Sequence, residues 1–468
     1  MALYFLLFYG LSGMGLLGPD EPRYASVGRE MASSGDWITP RLWGTPWFEK
    51  PALLYWMIAL AFRAGLNQDL APRLPVAMAS LAFLVFYYWR LRREFDARTA
   101  SYSALMLATS AGWLAYSQIA ATDLPMSAAF AAAQLLALGW LQRGERRGLL
   151  AAGALMGAAV LAKGLVPLAL AIPMVWMGRR RWRDLILPAA VGFLVAAPWY
   201  AAVTWRHGRL FLEEFFGRHH FQRFSADALM HTQPFWFYVP VLLAGLFPWT
   251  PALLAVAERR WFEDRRVRFL AWWALFGFLF FSASANKLPG YLLPLLPALA
   301  ALAGRALAWR KDAGWYVAAA GALLGLTPLA ADVLPRALAV GLSRAGAPRI
   351  SLWAAALVLA LAVACWWFEK RGRRCLALAT IGWGITVGVV VVKMAVFPQI
   401  DSAASARPLW RQIAAHRAET CVATMHRSWR YGLNYYSVTP LPDCAEAPLR
   451  IQVTQEPGRP PRFAVIQP

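Results

Sequence analysis

The stretch Cys375-Leu-Ala-Leu-Ala-Thr-Ile-Gly-Trp-Gly-Ile-Thr-Val-Gly-Val-Val-Val-Val-Lys-Met-Ala-Val-Phe397 carries a single charge, Lys393. Roughly 20 consecutive apolar residues take an α-helix through the hydrocarbon core of a bilayer. Its upstream border is Lys370, Arg371, Arg373 and Arg374, and beyond that border residues 350–368 form another such stretch. Further toward the N-terminus, apolar stretches recur near 313–331, 289–308, 269–285, 236–256, 185–205, 164–178, 148–162, 124–141 and 100–118, then at Pro72–Trp89 and, shorter, at Ala2–Leu17. Together they predict 13 membrane-spanning helices. Ala2–Leu17 lacks a basic leader and a cleavage site, so it reads as a retained helix rather than a signal peptide. Leu53–Phe62 is apolar but short, and is expected at the interface. Composition agrees: 15% of residues are charged and mean hydropathy is +0.44, against about 25% charged in soluble domains.

The net charge of +22 suits a nucleic-acid binder only if the hydropathy is ignored. The basic residues cluster at alternate connections: Arg90/Arg92/Arg93/Arg98, Arg143/Arg146/Arg147, Arg179/Arg180/Arg181/Arg183, Arg259/Arg260/Arg265/Arg266, Arg310/Lys311 and Lys370/Arg371/Arg373/Arg374. Short loops rich in Lys and Arg stay in the cytoplasm. The N-terminus is then cytoplasmic, and an odd span count puts the C-terminus outside. At Pro398 the composition turns polar, which divides the chain into a membrane domain, 1–397, and a tail, 398–468. Thr420–Met425, Gly432–Val438 and Arg450–Val453 are short apolar or β-prone pieces, so the tail is expected to be a small extracytoplasmic α/β domain. Cys421 and Cys444 lie in that oxidising compartment, with a bridge and two free thiols equally compatible. Cys365 and Cys375 flank a cytoplasmic loop and are expected to stay reduced.

The outer face gathers the remaining polar residues: Asp20, Glu21, Arg23 and Tyr24; Trp47, Glu49 and Lys50; Thr122 and Asp123; Lys163; His219, His220 and Arg223; Lys287 and Tyr291. Charges beside apolar helices are costly unless paired or solvated. The same groups could handle a lipid phosphate, because Arg and Lys hold phosphate oxygens and a carboxylate activates or orients an acceptor. Trp47 and Tyr55 suit packing against sugar rings or prenyl chains. Each residue also has a plainer reading. Asp20, Glu21 and Arg23 suit a solvated loop, Asp123 suits a helix N-cap, Lys163 and Lys287 suit snorkelling ends of spans, and the histidines suit solvated positions.

Asp20-Glu-Pro-Arg-Tyr24, Gly35-Asp-Trp, Phe48-Glu-Lys-Pro51 and Leu54-Tyr-Trp56 resemble the first-loop signature of the aminoarabinose transferase family. These are GT-C membrane glycosyltransferases related to protein O-mannosyltransferases. Thr122-Asp123, Leu161-Ala-Lys-Gly164, His220-Phe-Gln-Arg-Phe224, and Lys287-Leu-Pro289 with Tyr291 continue the match in order. The resemblance implies a GT-C fold of about 13 transmembrane helices with a small C-terminal periplasmic domain, in the bacterial inner membrane, its site facing the periplasm. It implies transfer of a sugar from a polyprenyl (undecaprenyl) phosphate, 4-amino-4-deoxy-L-arabinose passing to lipid A phosphate being the family's reaction. Asp20 and Asp123 would be the catalytic carboxylates. Glu21, Arg23, Tyr24, Trp47, Lys50, Tyr55, Lys163, Arg223, Lys287 and Tyr291 would bind substrate. Glu49 and His220 would match a pair that holds a divalent metal, zinc, with no requirement for metal implied. The expected partners are the lipid-linked donor, lipid A or another glycoconjugate, and membrane lipids, without nucleic acid, the protein acting as a monomer. His219 stands where the family often has glutamate, and the tail is short; both bear on the acceptor. A transporter is the alternative from another class, but such proteins place ionisable residues near the midplane, whereas here they gather at the outer ends.

Overall fold

A helix that is apolar all round must be covered by protein or by lipid. The structure, a computed structural model, describes residues 1–221, 233–256, 262–349, 352–456 and 459–465, with the side chains of 218–221 and 343 left aside. Among these, seven helical stretches are long and apolar enough to cross a membrane: Leu74–Glu94, Asp123–Arg143, Val166–His207, Arg265–Ala283, Pro289–Trp309, Leu352–Lys370 and Arg374–Ala404. Two more qualify only as bent pairs, Phe235–Gly245 with Thr250–Val256 at 105° and Gly314–Leu324 with Thr327–Val340 at 47°, giving up to nine. The chain is a multi-pass membrane protein.

The difference from 13 continuous spans lies in the short pieces. The first helix covers only Ala2–Leu7, and Leu149–Lys163 has 15 residues. The expected 100–118 span breaks into Ala97–Thr109 and Ala111–Tyr116 at Ser110, whose backbone is extended. Residues 164–178 begin new short helices at Pro167 and Pro173, as expected for a residue that favours the first helical turn and interrupts the ladder elsewhere.

The arginine clusters meet at one end of the bundle. Arg90 and Arg143 both pair with Glu94, at 2.7 and 2.9 Å. Arg146 pairs with Asp184 at 2.6 Å, and Arg181 donates to the Trp140 carbonyl. Arg266 donates to the Glu94 carbonyl, Trp309 to Asp96, and Arg374 to the Arg310 carbonyl. The connections that share a charge pattern in sequence are thus linked one to the next by these contacts.

The tail has the helices Phe397–Ala404 and Arg407–Ile413, a strand Thr420–Thr424, a helix Arg427–Tyr436, and strands Ile451–Thr454 and Arg462–Val465. Ile451–Thr454 is central, parallel to Thr420–Thr424 and antiparallel to Arg462–Val465. Cys421 and Cys444 are bridged, while Cys365 and Cys375 are free. Gly432–Val438, one of the apolar or β-prone pieces, is mostly helix. Trp429, Leu433 and Tyr436, at helical spacing, turn toward one apolar cluster. That cluster joins Val422, Leu433, Ile451 and Val453 of the tail to Leu16 and Ala25 of the first loop. A polar seam runs beside it: the Tyr436 hydroxyl donates to Asp69 at 2.8 Å and accepts from the Leu16 amide. Arg407 pairs with Asp69 at 3.0 Å and Asp401 at 2.7 Å.

Candidate active site

The helix Asp20–Ser34 places two acidic residues in its first turn, where the partial positive charge of a helix N-terminus favours them. It ends at Gly35, whose φ of 73° is the left-handed conformation that glycine adopts at least cost. The two carboxylates at its start have opposite fates. Glu21 is buried and fully occupied: Arg73 grips it at 2.7 and 2.8 Å, and the Leu17 and Ala120 amides donate to it at 2.8 and 2.9 Å. Asp20 is 53% exposed at the side chain and pairs with Arg23. Glu21 therefore clamps the first loop to the turn before Asp123, with both of its oxygens occupied.

Arg23 pairs with Asp20 and, at 3.1 Å, with Glu49, and lies over the rings of Trp47 and of Tyr431 from the tail. Burial disfavours its charge, but the carboxylates of Glu49 and Asp20 outweigh burial and raise its pKa. Glu49 is also 3.4 Å from Lys50. Trp47, Glu49 and Lys50 follow directly on a short hairpin, Arg41–Leu42 paired with Thr45–Pro46, and Phe48 anchors this segment by packing on Phe211 and His207. The Asp36 carboxylate braces the same loop, accepting from the Ile38 and Thr39 amides at 3.1 Å and from Arg206 at 2.8 Å.

Asp123 opens the helix Asp123–Arg143 without capping it, so the N-cap reading is not what the fold uses. Its Oδ1 accepts from Lys163 at 2.5 Å, and the same ammonium lies 4.8 Å from the Tyr291 ring centroid. A Cβ built on Gly290 would stand 2.4 Å from Asp123 Oδ1 and 2.6 Å from the Tyr116 hydroxyl. Only glycine lets the Pro289–Tyr291 backbone come this close.

These groups converge on a cavity of about 960 Å³. Asp20, Tyr24, Glu49, Lys50, Asp123, Lys163 and Tyr291 line it, and Glu21 shows it one edge. Burial raises the Tyr24 pKa, with Glu49 and Asp20 adding to it, so the phenol stays a proton donor. Four expected ligands stand elsewhere. Arg23 and Trp47 lie behind the lining residues. Tyr55 is fully buried against Tyr24, ring centroids 6.0 Å apart, with its hydroxyl unpartnered among the described residues. Lys287 is buried, donating to the Ser284 and Gln233 carbonyls at 2.5 and 3.0 Å. A lysine next to a helix break finds carbonyls that have lost their ladder partners, a feature that looks in sequence like a free cation. Arg223 and the His220 side chain lie outside the described residues. Among the described residues no three His, Cys, Asp or Glu are grouped to hold a metal. Glu49 stands between two cations, and one carboxylate does not by itself fit a divalent ion.

The cavity also has walls that the sequence did not announce: Tyr116, Gly290, Arg344, and His426, Ser428 and Trp429 of the tail. His426 Nδ1 accepts from the Ser428 amide, capping the helix that follows. The neutral ring then carries its proton on Nε2. Only Gly290, in Lys287-Leu-Pro-Gly-Tyr291, stood within a motif.

A family described as Dolichyl-phosphate-mannose-protein mannosyltransferase matches residues 49–205. An undecaprenyl phosphate-alpha-4-amino-4-deoxy-L-arabinose arabinosyl transferase of Pseudomonas aeruginosa strain UCBPP-PA14 is 37% identical over 358 residues, 70% of this chain and 64% of the relative. The crystal structure of ArnT from Cupriavidus metallidurans bound to undecaprenyl phosphate superposes with a TM-score of 0.75 and 25% identity, covering 97% of this chain and 91% of that one. The chain is a relative of the aminoarabinose transferases in sequence and in fold. The fold extends further: arabinosyltransferase EmbB from Mycobacterium smegmatis shares it at a TM-score of 0.55 and 12% identity, over 92% of this chain and 42% of EmbB. The aligned part of this aminoarabinose-transferase-like chain spans 64% of the length of the Pseudomonas relative.

Proposed function

We propose that this protein is a membrane glycosyltransferase that moves a sugar from a polyprenyl phosphate to an extracytoplasmic acceptor. The reading is sharpest as 4-amino-4-deoxy-L-arabinose passing from undecaprenyl phosphate to a lipid A phosphate. The observation that carries it is one cavity in which an exposed carboxylate, Asp20, faces a set of phosphate-binding groups, Lys50, Lys163, Tyr24 and Tyr291. The name and bound ligand of the relatives support the donor.

The step is one displacement with inversion. An acceptor oxygen forms a bond to the anomeric carbon as the bond from that carbon to the carrier phosphate oxygen breaks, and the phosphate leaves with the electron pair. Charge grows on the leaving phosphate, and fixed cations there lower the barrier. Lys50 and Lys163 supply it, with the phenols of Tyr24 and Tyr291 as donors. Asp123 holds Lys163 in place, which makes it a positioning residue. Arg23 positions Asp20 and Glu49 from behind. Asp20 takes the proton of a hydroxyl acceptor; an anionic phosphate acceptor needs no base, and Asp20 then orients it. No step is routed through a metal.

The reading includes 13 crossings of the inner membrane, the broken and short helices counted with the long ones, and a periplasmic domain from residue 398. Burial of the tail against the first loop supports placing both on one side, opposite the arginine-rich end. The test is mass spectrometry of lipid A with the gene present, deleted, or carrying Asp20→Asn. A pentosamine on lipid A phosphate, lost in both latter cases with the variant expressed normally, is expected. Unchanged lipid A with another glycoconjugate altered moves the acceptor, and full activity of Asp20→Asn overturns the site.

A further inference from the structure

The arginine-rich end of the bundle holds a second cavity, of about 520 Å³, that shares no lining residue with the first. Arg98, Lys311, Arg373 and Arg374 line it with a single carboxylate, Glu369. That carboxylate is taken up by Arg374, which also donates to the Leu307 and Arg310 carbonyls. Arg98, Lys311 and Arg373 are exposed and have no anionic partner among the described residues.

An apolar groove of about 640 Å³ begins where this cavity ends, for Tyr102 and Cys375 line both. The groove runs between the helices Ala97–Thr109 and Arg374–Val391, with Leu3, Leu84 and Trp383 on its walls. It follows the second helix from Cys375 to Thr386, a rise of about 16 Å at 1.5 Å per residue. That is close to half of the ~30 Å hydrocarbon core, the depth of one leaflet.

We propose that this is a binding site for an anionic phospholipid of the leaflet on the arginine-rich side, its phosphate among Arg98, Lys311 and Arg373 and one acyl chain in the groove. Two features select this occupant. Three cations without counter-charges favour an anionic head over a zwitterionic one. The groove adds apolar burial that a free phosphate cannot use. The site stands independently of the transfer reading.

Cys375 lies exposed at the junction, the other free thiol, Cys365, is buried, and Cys421 and Cys444 are bridged. A water-soluble maleimide therefore reports on Cys375. The full chain is placed in phosphatidylcholine nanodiscs with or without phosphatidylglycerol, and the alkylation rate is measured in each. Phosphatidylglycerol is expected to slow the reaction about ten-fold, as for a site about nine-tenths filled. Inorganic phosphate added to phosphatidylcholine discs should give no protection. The ratio of the two rates should fall to near one in the triple variant Arg98→Gln/Lys311→Gln/Arg373→Gln. It should do so too in Ala379→Phe, which fills the groove from an exposed position. Equal rates in the two lipids, protection by phosphate alone, or protection that survives in the triple variant, as bulk surface charge would produce, overturns the proposal.

Discussion

At the residue scale, the proposed site turns on which carboxylate faces the cavity. Asp20 and Glu21 are neighbours in sequence, yet one is open to the cavity and the other closed around Arg73. Asp123→Asn removes the anion that holds Lys163, and turnover should fall about 10²–10³-fold, the usual loss when one charge-stabilising group is misplaced; single-turnover assays with lipid-linked donor read it. If Lys163→Met and the double variant are each no worse than Asp123→Asn, the two residues act as one unit. Gly290→Ala should lose a comparable factor without loss of folded protein, because its new methyl would displace the Asp123 and Tyr116 contacts. Wild-type rates in Gly290→Ala would show that this close approach is dispensable. Turnover should withstand chelation of divalent ions if, as proposed, the cations that meet the phosphate are Lys50 and Lys163; loss on chelation, restored by zinc alone, would bring Glu49 into the step.

At the element scale, the first loop is held by two carboxylates at separate places. The Arg73–Glu21 pair is buried, and Arg73→Met leaves Glu21 uncompensated, a loss of about 3–5 kcal/mol. Arg73→Met/Glu21→Gln should recover part of it, and melting of the detergent-solubilised protein distinguishes the two. Asp36 supports the hairpin end. Burial raises its pKa, but the Thr39 and Ile38 amides and Arg206 outweigh burial and hold it below the ordinary value. A group whose folded pKa is lowered stabilises above the unfolded pKa and loses that contribution as pH falls through the folded one. Proteolytic nicking near Thr39 should therefore rise below about pH 4, and in Asp36→Asn it should no longer change with pH there. Much of this loop was legible in sequence as a motif. Its internal division of labour was not, because Arg73 lies far along the chain from Glu21 and nothing local marks the pair.

At the scale of the whole molecule, the tail and the first loop share one core. Leu433→Ala should cost about 2–5 kcal/mol, as for other buried leucines, and should loosen the first loop as well as the tail, which hydrogen exchange of residues 20–34 would register. Exchange confined to the tail would show instead that the two are separable. The membrane class, the arginine-rich end, the first-loop motif and the cavity groups Asp20, Tyr24, Glu49, Lys50, Asp123, Lys163 and Tyr291 were readable in advance. Hydropathy and charge are properties of short stretches, and the bilayer acts on them stretch by stretch. Tertiary structure alone decided that Arg23, Trp47, Tyr55 and Lys287 stand behind or away from the cavity, that Gly432–Val438 belongs largely to a helix, and that His426, Trp429 and Arg344 complete the wall. Each outcome turns on the rotation of a helix or on a contact between residues distant in the chain, which no local sum of hydrophobicity or charge contains.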